Sequence, residues 1–191
     1  MDQTEIDLAS EEEEQIIRRV LLGETDEFRL LVERYQNRIY SLVMRQVGDA
    51  SIARELSQDV FVRAYKSLSS FRFASRFSTW LVRIAMNTTN SYFSSREFKE
   101  RSRQRSFESH LHAGASEHPD IEQVRREQLS ALQTALGQLK PEQREIITLC
   151  YLEGKTYQEA ADFLGIPRGT VCSRVNSSQH QLRLRFKRIY R

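Results

Sequence analysis

The chain has 191 residues, with 29 Lys and Arg against 26 Asp and Glu, so its formal net charge is +3. Three prolines and seven glycines are too few for an all-β architecture full of turns, and helix-forming residues dominate. No apolar run reaches membrane-spanning length and no signal peptide opens the chain. We therefore expect an all-α protein of the cytoplasm with no membrane insertion.

Metal and cofactor sites are not indicated. Cys150 and Cys172 lie on predicted helices and lack the spacing of zinc ligands. His110, His112 and His118 lie close together in the sequence, but no nearby cysteine or carboxylate completes a site around them. We expect neither a metal ion nor a cofactor.

The N-terminal half reads as an acidic tail followed by a helical domain. Residues 1–14 contain acidic side chains but no Lys or Arg, which predicts a frayed tail. Residues 15–96 have apolar side chains at helical spacing, in successive helices that end near Gly23, Gly48 and Leu68. The usual explanation of such stripes is the core of a helical bundle, and we adopt it for most of them.

The polar face of the third helix contains the sequence RELSQDVF, residues 54–61. A helix with carboxylates around an exposed leucine can dock on a basic helical surface of a partner protein. A charged helix face is, however, more often simply solvated, so both interpretations stay open for this segment alone.

An aromatic and basic segment, FRFASR at residues 71–76, interrupts the helical pattern. Such a loop suits single-stranded DNA, because bases stack on aromatic rings while guanidinium groups bind phosphates. The helix that follows has Trp80 on its apolar face, which we assign to the core. Its other face includes Arg83 and Asn87, and asparagine amides can hydrogen-bond base edges.

The C-terminal half reads as a polar linker and a second helical domain. Residues 97–120 have no apolar period and are rich in Arg, Ser, Glu and His, which predicts a flexible linker. Residues 121–191 begin with an amphipathic helix that reaches Leu139, and Pro141 then starts another helix that ends at Gly154. The length of this segment is typical of a small domain.

The segment TYQEAADFLGIPRGTVCSR, residues 156–174, predicts a helix-turn-helix. Thr156 and Glu159 form a capping box, Gly165 ends the first helix, and the second begins near Gly169. Such a second helix normally enters the DNA major groove. The basic residues of 183–191 favour DNA as the partner, although an ordinary helical hairpin would share the pattern of residues 156–174.

Three segments in this order resemble the extracytoplasmic-function (ECF) group of bacterial sigma factors. They read ELSQDVFVRAYKSLSSF, FSTWLVRIAMN and LKPEQREIITLCYLEGKTYQEAADFLGIPRGTVCSR, and the resemblance covers nearly everything outside the tail and the linker. It implies an alternative sigma factor that binds RNA polymerase core, recognises −35 and −10 promoter elements and promotes DNA opening. Residues 15–96 and 121–191 would be its regions 2 and 4.

The resemblance also implies roles for individual residues. The core-binding motif, which docks on the coiled coil of the largest polymerase subunit, matches Glu55, Leu56, Gln58, Asp59 and Phe61. The residues that bind the −10 element would be Phe71, Arg72, Phe73, Ala74, Ser75, Arg76, Phe77, Ser78, Arg83 and Asn87. The residues that bind the −35 element would be Arg168, Thr170, Cys172, Ser173, Arg174, Asn176 and Ser177.

The partners implied are RNA polymerase core, through its coiled coil and its flap, promoter DNA and an anti-sigma factor. The family often has a basic residue at the position of Cys172 and a basic run at the positions of Asn176, Ser177 and Ser178. It also has a glycine and an acidic residue where this chain has Phe73 and Ala74. Because this chain departs from the family there, the promoter sequence cannot be carried over from better-known members.

Two other functions compete with this one. A stand-alone helix-turn-helix regulator would explain the second half but would leave RELSQDVF and FRFASR without a role. A nuclease would need clustered carboxylates, a nucleophile with its base or a glycine-rich phosphate loop, and none of these is present. We therefore expect no enzymatic activity.

Overall fold

The computed structural model of the chain describes residues 3–96, 98–101, 128 and 131–189. Helices and their connecting turns make up these residues, and the described part contains no β-strand, so the all-α prediction is confirmed. The chain divides into two compact units. The first comprises Met1–Met44 with Asp49–Thr88, and the second comprises Arg45–Gly48 with Thr89–Arg191.

The first unit begins with helix α1, Gln3–Leu21, so the prediction of a frayed tail over residues 1–14 is wrong. Ile16, Ile17 and Val20 on α1 are buried, and a helix anchored by its C-terminal half propagates easily toward its start. Arg18 and Arg19 lie in the last turn of α1, where the helix dipole favours positive charge.

Helices α2, Phe28–Val47, and α3, Ala50–Ser67, follow a short 3₁₀ turn at Thr25–Glu27. Gly48 between them has φ of +62°, a backbone conformation that glycine adopts without steric strain. The Oδ1 atom of Asp49 accepts hydrogen bonds from the backbone N–H groups of Ser51 and Ile52 at 3.0 and 3.1 Å. Asp49 therefore caps α3 and determines where that helix begins.

Helix α4, Phe77–Ser94, starts after a 3₁₀ turn at Leu68–Ser70 and the loop 71–76. The core of the first unit consists of apolar side chains from all four helices, including Ile17, Leu31, Ile39, Leu42, Val60 and Leu81. The sequence pattern located these stripes correctly. The loop 71–76 connects the 3₁₀ turn to α4, and several of its side chains lie at the surface.

The second unit contains the last residues of α4 and the C-terminal helices. Residues 131–137 form α5, which is followed by α6, Pro141–Ile147, and by a π-helical turn at Thr148–Leu152. Its core includes Leu136, Leu139 and Ile147. Of the predicted linker 97–120 only residues 98–101 are described, and they are helical; His110, His112 and His118 lie outside the described residues.

Helices α7, Tyr157–Leu164, and α8, Arg168–Ile189, form the predicted helix-turn-helix. The Thr156 N–H donates to Glu159 Oε2 at 2.8 Å, and the Glu159 N–H donates to Thr156 Oγ1 at 3.2 Å. The Thr156 hydroxyl also donates to Glu159 Oε2 at 2.8 Å, and the two hydrogen bonds from Thr156 to this carboxylate hold the pKa of Glu159 below its usual range. The small residues Ala160 and Ala161 are buried, where they allow α7 and α8 to pack closely.

Gly165 ends α7 with φ of +65°, and a Cβ atom added there would meet no atom within 4 Å. The cost of Gly165→Ala therefore comes from the backbone alone, and we expect a loss of about 1 kcal/mol in the free energy of unfolding. Urea denaturation followed by circular dichroism measures this loss. Gly165→Asn is the matched control, because asparagine tolerates the left-handed conformation and should cost less than alanine. Equal costs would contradict this explanation.

None of the helices among the described residues is long and apolar enough to cross a membrane.

Candidate protein-docking and nucleic-acid interfaces

The exposed face of α3 contains three of the five residues predicted to bind the polymerase core. Glu55, Gln58 and Asp59 are exposed. Leu56 is half-buried beside them, whereas Phe61 is only 9% exposed and belongs to the core. Three polar side chains and the edge of one leucine are therefore available to a partner, and the phenyl ring supports the helix from beneath.

An apolar residue that the sequence analysis missed lies on the same face. Val62 follows Gln58 by one helical turn and is 49% exposed. Tyr65, on the next turn, is 43% exposed, and its ring packs edge-on against Phe28 with centroids 5.2 Å apart. Helical spacing from Gln58 would have identified Val62, because residues four apart share a face. We call Glu55, Gln58, Asp59 and Val62 the α3 face.

The loop 71–76 rests on a cluster of aromatic rings. Phe71 and Phe77 are 7% and 1% exposed, and each packs against Trp80, with centroids 5.2 and 5.5 Å apart. Trp80 is half-buried rather than fully inside the core. The rings of Phe71 and Phe77 therefore form the base of the loop, and their burial leaves them little surface for a ligand.

Phe73 lies at the edge of this cluster, half-exposed, with its ring centroid 4.9 Å from that of Phe71. Its φ is +56°, which is strained for a residue with a Cβ atom and is found most often at functional sites. Its neighbours Arg72 and Ala74 are exposed. Of the two phenylalanine rings in the loop, that of Phe73 is the more accessible.

The remaining residues predicted to bind the −10 element lie near the start of α4 and along it. Ser75 and Arg76 are exposed, and Ser78 is half-buried in the first turn. Arg83 and Asn87 are both exposed and one helical turn apart, so they share a face of α4. Both side chains are therefore available to the same DNA strand.

Helix α1 contacts this loop within the first unit. The Tyr35 hydroxyl donates a hydrogen bond to Glu13, and the Phe77 backbone N–H donates to the same carboxylate. Arg18 lies over the ring of Phe73, 4.9 Å from its centroid. Sequence reasoning missed Glu13 and Arg18, since no local pattern relates them to residues more than fifty positions away.

The recognition helix α8 has an inner and an outer face. Val171 and Val175 are fully buried against the rest of the second unit. Of the residues predicted to bind the −35 element, four are exposed and three are half-buried; the exposed ones are Arg168, Ser173, Asn176 and Ser177, and the half-buried ones are Thr170, Cys172 and Arg174. The seven thus occupy the outer face and its margins.

Two of these side chains have partners in the second unit. Gln143 Nε2 donates to Ser177 Oγ at 3.2 Å, which orients that hydroxyl. Burial raises the pKa of the Glu145 carboxyl, and the nearby positive charge of Arg174 opposes that rise. Gln143 of α6 therefore hydrogen-bonds a side chain of α8, and Glu145 of α6 lies near the charge of another.

The outer face of α8 continues beyond the predicted residues. His180 is exposed one turn after Asn176, and Arg183 is exposed one turn later. The sequence analysis did not include these two, although helical spacing identifies them. The full 22-residue helix has six Lys and Arg side chains and no Asp or Glu, a charge distribution that suits contact with phosphates.

Comparison with known proteins gives the family. The Sigma-70 region 2 model matches residues 31–98, and the Sigma-70 region 4 model matches residues 129–176. The chain is 34% identical over 174 residues to the RNA polymerase sigma-H factor of Pseudomonas aeruginosa, with 88% of this chain and 90% of the relative covered. It is also 34% identical over 166 residues to the ECF RNA polymerase sigma-E factor of Escherichia coli K12, with 84% and 86% covered.

A solved structure has a similar fold. It contains CnrH in complex with the cytosolic domain of CnrY, and it matches with a TM-score of 0.57 at 23% identity, covering 90% of this chain and 95% of that one. At this identity the likeness concerns the fold alone. The two family models match different halves of the chain, and the alignments to named sigma factors cover more than four fifths of it. The chain belongs to the extracytoplasmic-function group of the sigma-70 family, and it is an alternative sigma factor of transcription initiation.

Proposed function

We propose that the two units divide promoter recognition between them. The first docks on the coiled coil of the largest polymerase subunit through the α3 face and captures the −10 strand with the loop 71–76 and the first residues of α4. The second reads the −35 element with the outer face of α8 and contacts the polymerase flap. The observation that carries this proposal is the half-exposed ring of Phe73, flanked by Arg72 and backed by buried rings.

The physics of strand capture supports this assignment. A base that leaves the duplex loses stacking, and an aromatic ring restores part of that free energy because every base has a π-face. Arg72 and Arg76 are exposed on either side of Phe73, where they can bind the phosphates of the captured strand. Binding of the displaced strand supplies the free energy for opening, and the factor itself performs no enzymatic step.

Recognition of the −35 element uses duplex DNA. Arg168, Ser173 and Asn176 lie in the first three turns of α8, the part of a recognition helix that reaches base edges. Arg and Asn are the side chains that most often read guanine and adenine in the major groove. The cations farther along α8 would bind phosphates, which gives affinity without sequence preference.

The setting of this function follows from the family. A sigma factor works on RNA polymerase, so we place the protein in the cytoplasm. Members of the ECF group are commonly held inactive by an anti-sigma protein that covers their polymerase-binding surfaces. We extend that partner to this chain, with the α3 face as the surface to be covered.

The function is tested by run-off transcription on fragmented genomic DNA, with cognate core polymerase, followed by mapping of start sites. We expect initiation at a distinct set of promoters that share −35 and −10 sequences, and no initiation from them by core alone. If the protein neither joins core nor changes its start sites, the proposal is wrong. Tight duplex binding without polymerase would instead favour a stand-alone regulator.

A further inference from the structure

We infer that helix α1 positions the loop 71–76 and the start of α4 for capture of the −10 strand, with Glu13 and Arg18 as the positioning residues. This inference rests on the proposed function of that loop. It assigns a role to a helix that lies outside residues 31–98, the segment matched by the region 2 family model. Two contacts support it, one where the loop enters α4 and one at Phe73 within the loop.

The first contact fixes the point where the loop enters α4. The Glu13 side chain is buried, and its carboxylate accepts hydrogen bonds from the Tyr35 hydroxyl and from the backbone N–H of Phe77. Phe77 is the first residue of α4, so Glu13 places a negative charge at the positive end of that helix. The positive charges of Arg34 and Arg76 also lie near it.

The protonation states agree with this arrangement. Burial raises the pKa of the Tyr35 hydroxyl above its usual range, so this group stays protonated and donates at neutral pH. Burial also raises the pKa of the Glu13 carboxyl, while Tyr35, Arg34, Arg76 and the Phe77 N–H all act in the opposite direction. Hydrogen bonds and cations thus compensate part of the desolvation of this carboxylate.

The second contact holds the ring that would stack on a base. The guanidinium of Arg18 lies 4.9 Å from the centroid of Phe73. Glu14 orients that guanidinium, because Arg18 Nε and Nη2 donate to Glu14 Oε1 at 2.9 and 2.5 Å. The cation lies on one side of a ring that also packs against Phe71.

These contacts are needed because the backbone of the loop is strained at Phe73. Phe73 has φ of +56°, and a residue with a Cβ atom keeps such a value only when its surroundings impose it. Arg18 and the ring of Phe71 contact the Phe73 side chain and restrain it. Glu13 restrains the backbone at Phe77. Without them we expect the loop to relax into other conformations, which reduces the fraction competent to bind the strand.

The test measures strand binding by holoenzyme that contains each variant. The probe is a fluorescent single-stranded oligonucleotide with the non-template −10 sequence of a promoter mapped by run-off transcription. We expect Arg18→Ala to raise its Kd about two- to fivefold, as for an exposed cation–π contact. Glu13→Gln should raise it about tenfold, because it removes a buried charge that accepts two hydrogen bonds. Arg18→Lys, which keeps a cation near the ring, should recover most of the affinity.

Matched controls come from the same helix. Arg19→Ala removes an exposed arginine that pairs with Glu27 at 3.4 Å, and Glu11→Gln removes an exposed carboxylate. Both should leave the oligonucleotide Kd within about twofold of the wild type, the usual range for surface changes.

Two further readouts distinguish positioning from a general loss of stability. Affinity for core polymerase and for −35 duplex DNA should stay the same in all variants, while hydrogen exchange at residues 71–78 should accelerate in Arg18→Ala and Glu13→Gln only. Unchanged oligonucleotide binding in both variants, or equal losses in Arg18→Ala and Arg19→Ala, would overturn the inference. If wild-type holoenzyme initiates at its promoters without binding the oligonucleotide, the proposed role of the loop is wrong and this inference falls with it.

Discussion

Arg144→Met should lower the free energy of unfolding of the second unit by about 3–5 kcal/mol, the range for breaking a buried charged network. Arg144 is only 3% exposed. Its Nε atom donates to the Leu136 carbonyl at 2.9 Å, and its Nη2 atom donates to the carbonyls of Gly137 and Leu139 at 3.0 and 2.8 Å. These carbonyls lie at the C-terminal end of α5 and just beyond it, where a helix leaves carbonyls without intrahelical partners; the Leu136 carbonyl also accepts a hydrogen bond from the Leu139 N–H at 3.1 Å.

The same guanidinium also reaches the last turns of α4, which belong to the second unit. Its Nη1 atom donates to Asn90 Oδ1 at 2.6 Å, and the group lies 4.3 Å from the centroid of Phe93. Burial lowers the pKa of Arg144 to about 10, so the side chain remains charged at neutral pH. Methionine has a similar volume but donates no hydrogen bond, so the Gly137 and Leu139 carbonyls and the Asn90 amide oxygen lose the donor that Arg144 supplies.

Hydrogen exchange detected by mass spectrometry in increasing urea measures this effect for residues 131–189. Arg144→Lys should recover only part of the loss, because an ammonium group cannot reproduce the planar fork of donors. Arg183→Met is the matched control; Arg183 is exposed, and the change should stay within about 0.5 kcal/mol. Equal losses in Arg144→Met and Arg183→Met would contradict the role given to the network.

Val62→Glu should weaken binding of the factor to core polymerase at least tenfold, which corresponds to about 1.4 kcal/mol. Val62 is the exposed apolar member of the α3 face, and Gln58 and Asp59 lie one turn before it. Interfaces commonly have an apolar centre within a polar rim, and a few central residues supply most of the affinity. A carboxylate at that centre would be desolvated without a compensating partner.

Fluorescence anisotropy with labelled protein and purified core gives the affinities. Val62→Ala should cost only a few-fold, because it shortens the contact without introducing a charge. Leu22→Glu is the matched control, since it makes the same chemical change at a position that is 84% exposed and outside the α3 face. If the two glutamate variants bind core equally well, the α3 face is not the docking surface.

The substitutions Val62→Glu and Leu22→Glu should leave the stability of the first unit nearly unchanged, because Val62 and Leu22 are exposed. That separation makes the Val62 experiment informative about binding. Phe61 could not serve the same purpose. Its ring is in the core, and a truncation there would lower stability by several kcal/mol, as is usual for a buried phenylalanine.

Local patterns in the sequence predicted the helices and most of their ends. Gly23, Gly48 and Gly165 follow α1, α2 and α7, and each has positive φ. The capping box at Thr156 and Glu159 is formed as predicted. These features depend on residues a few positions apart, so the information needed to predict them lies within a short window.

A prediction failed where the local structure depends on contacts with residues far away in the sequence. The acidic composition of residues 1–14 indicated a tail, yet α1 begins at Gln3 because its C-terminal half is buried in the first unit. The second helix of the helix-turn-helix, by contrast, begins at Arg168, close to its predicted start near Gly169.

The sequence by itself determined the class of the fold, the helix-turn-helix and the family, because motifs such as RELSQDVF and TYQEAADFLGIPRGTVCSR are continuous in the chain. The tertiary structure decided which side chains of those motifs reach solvent. It buries Phe61, Phe71 and Phe77, leaves Val62 and Phe73 accessible, and brings Glu13 and Arg18 to the loop. The physical reason is that burial and side-chain contacts depend on how separate helices pack, and periodicity within one helix does not contain that information.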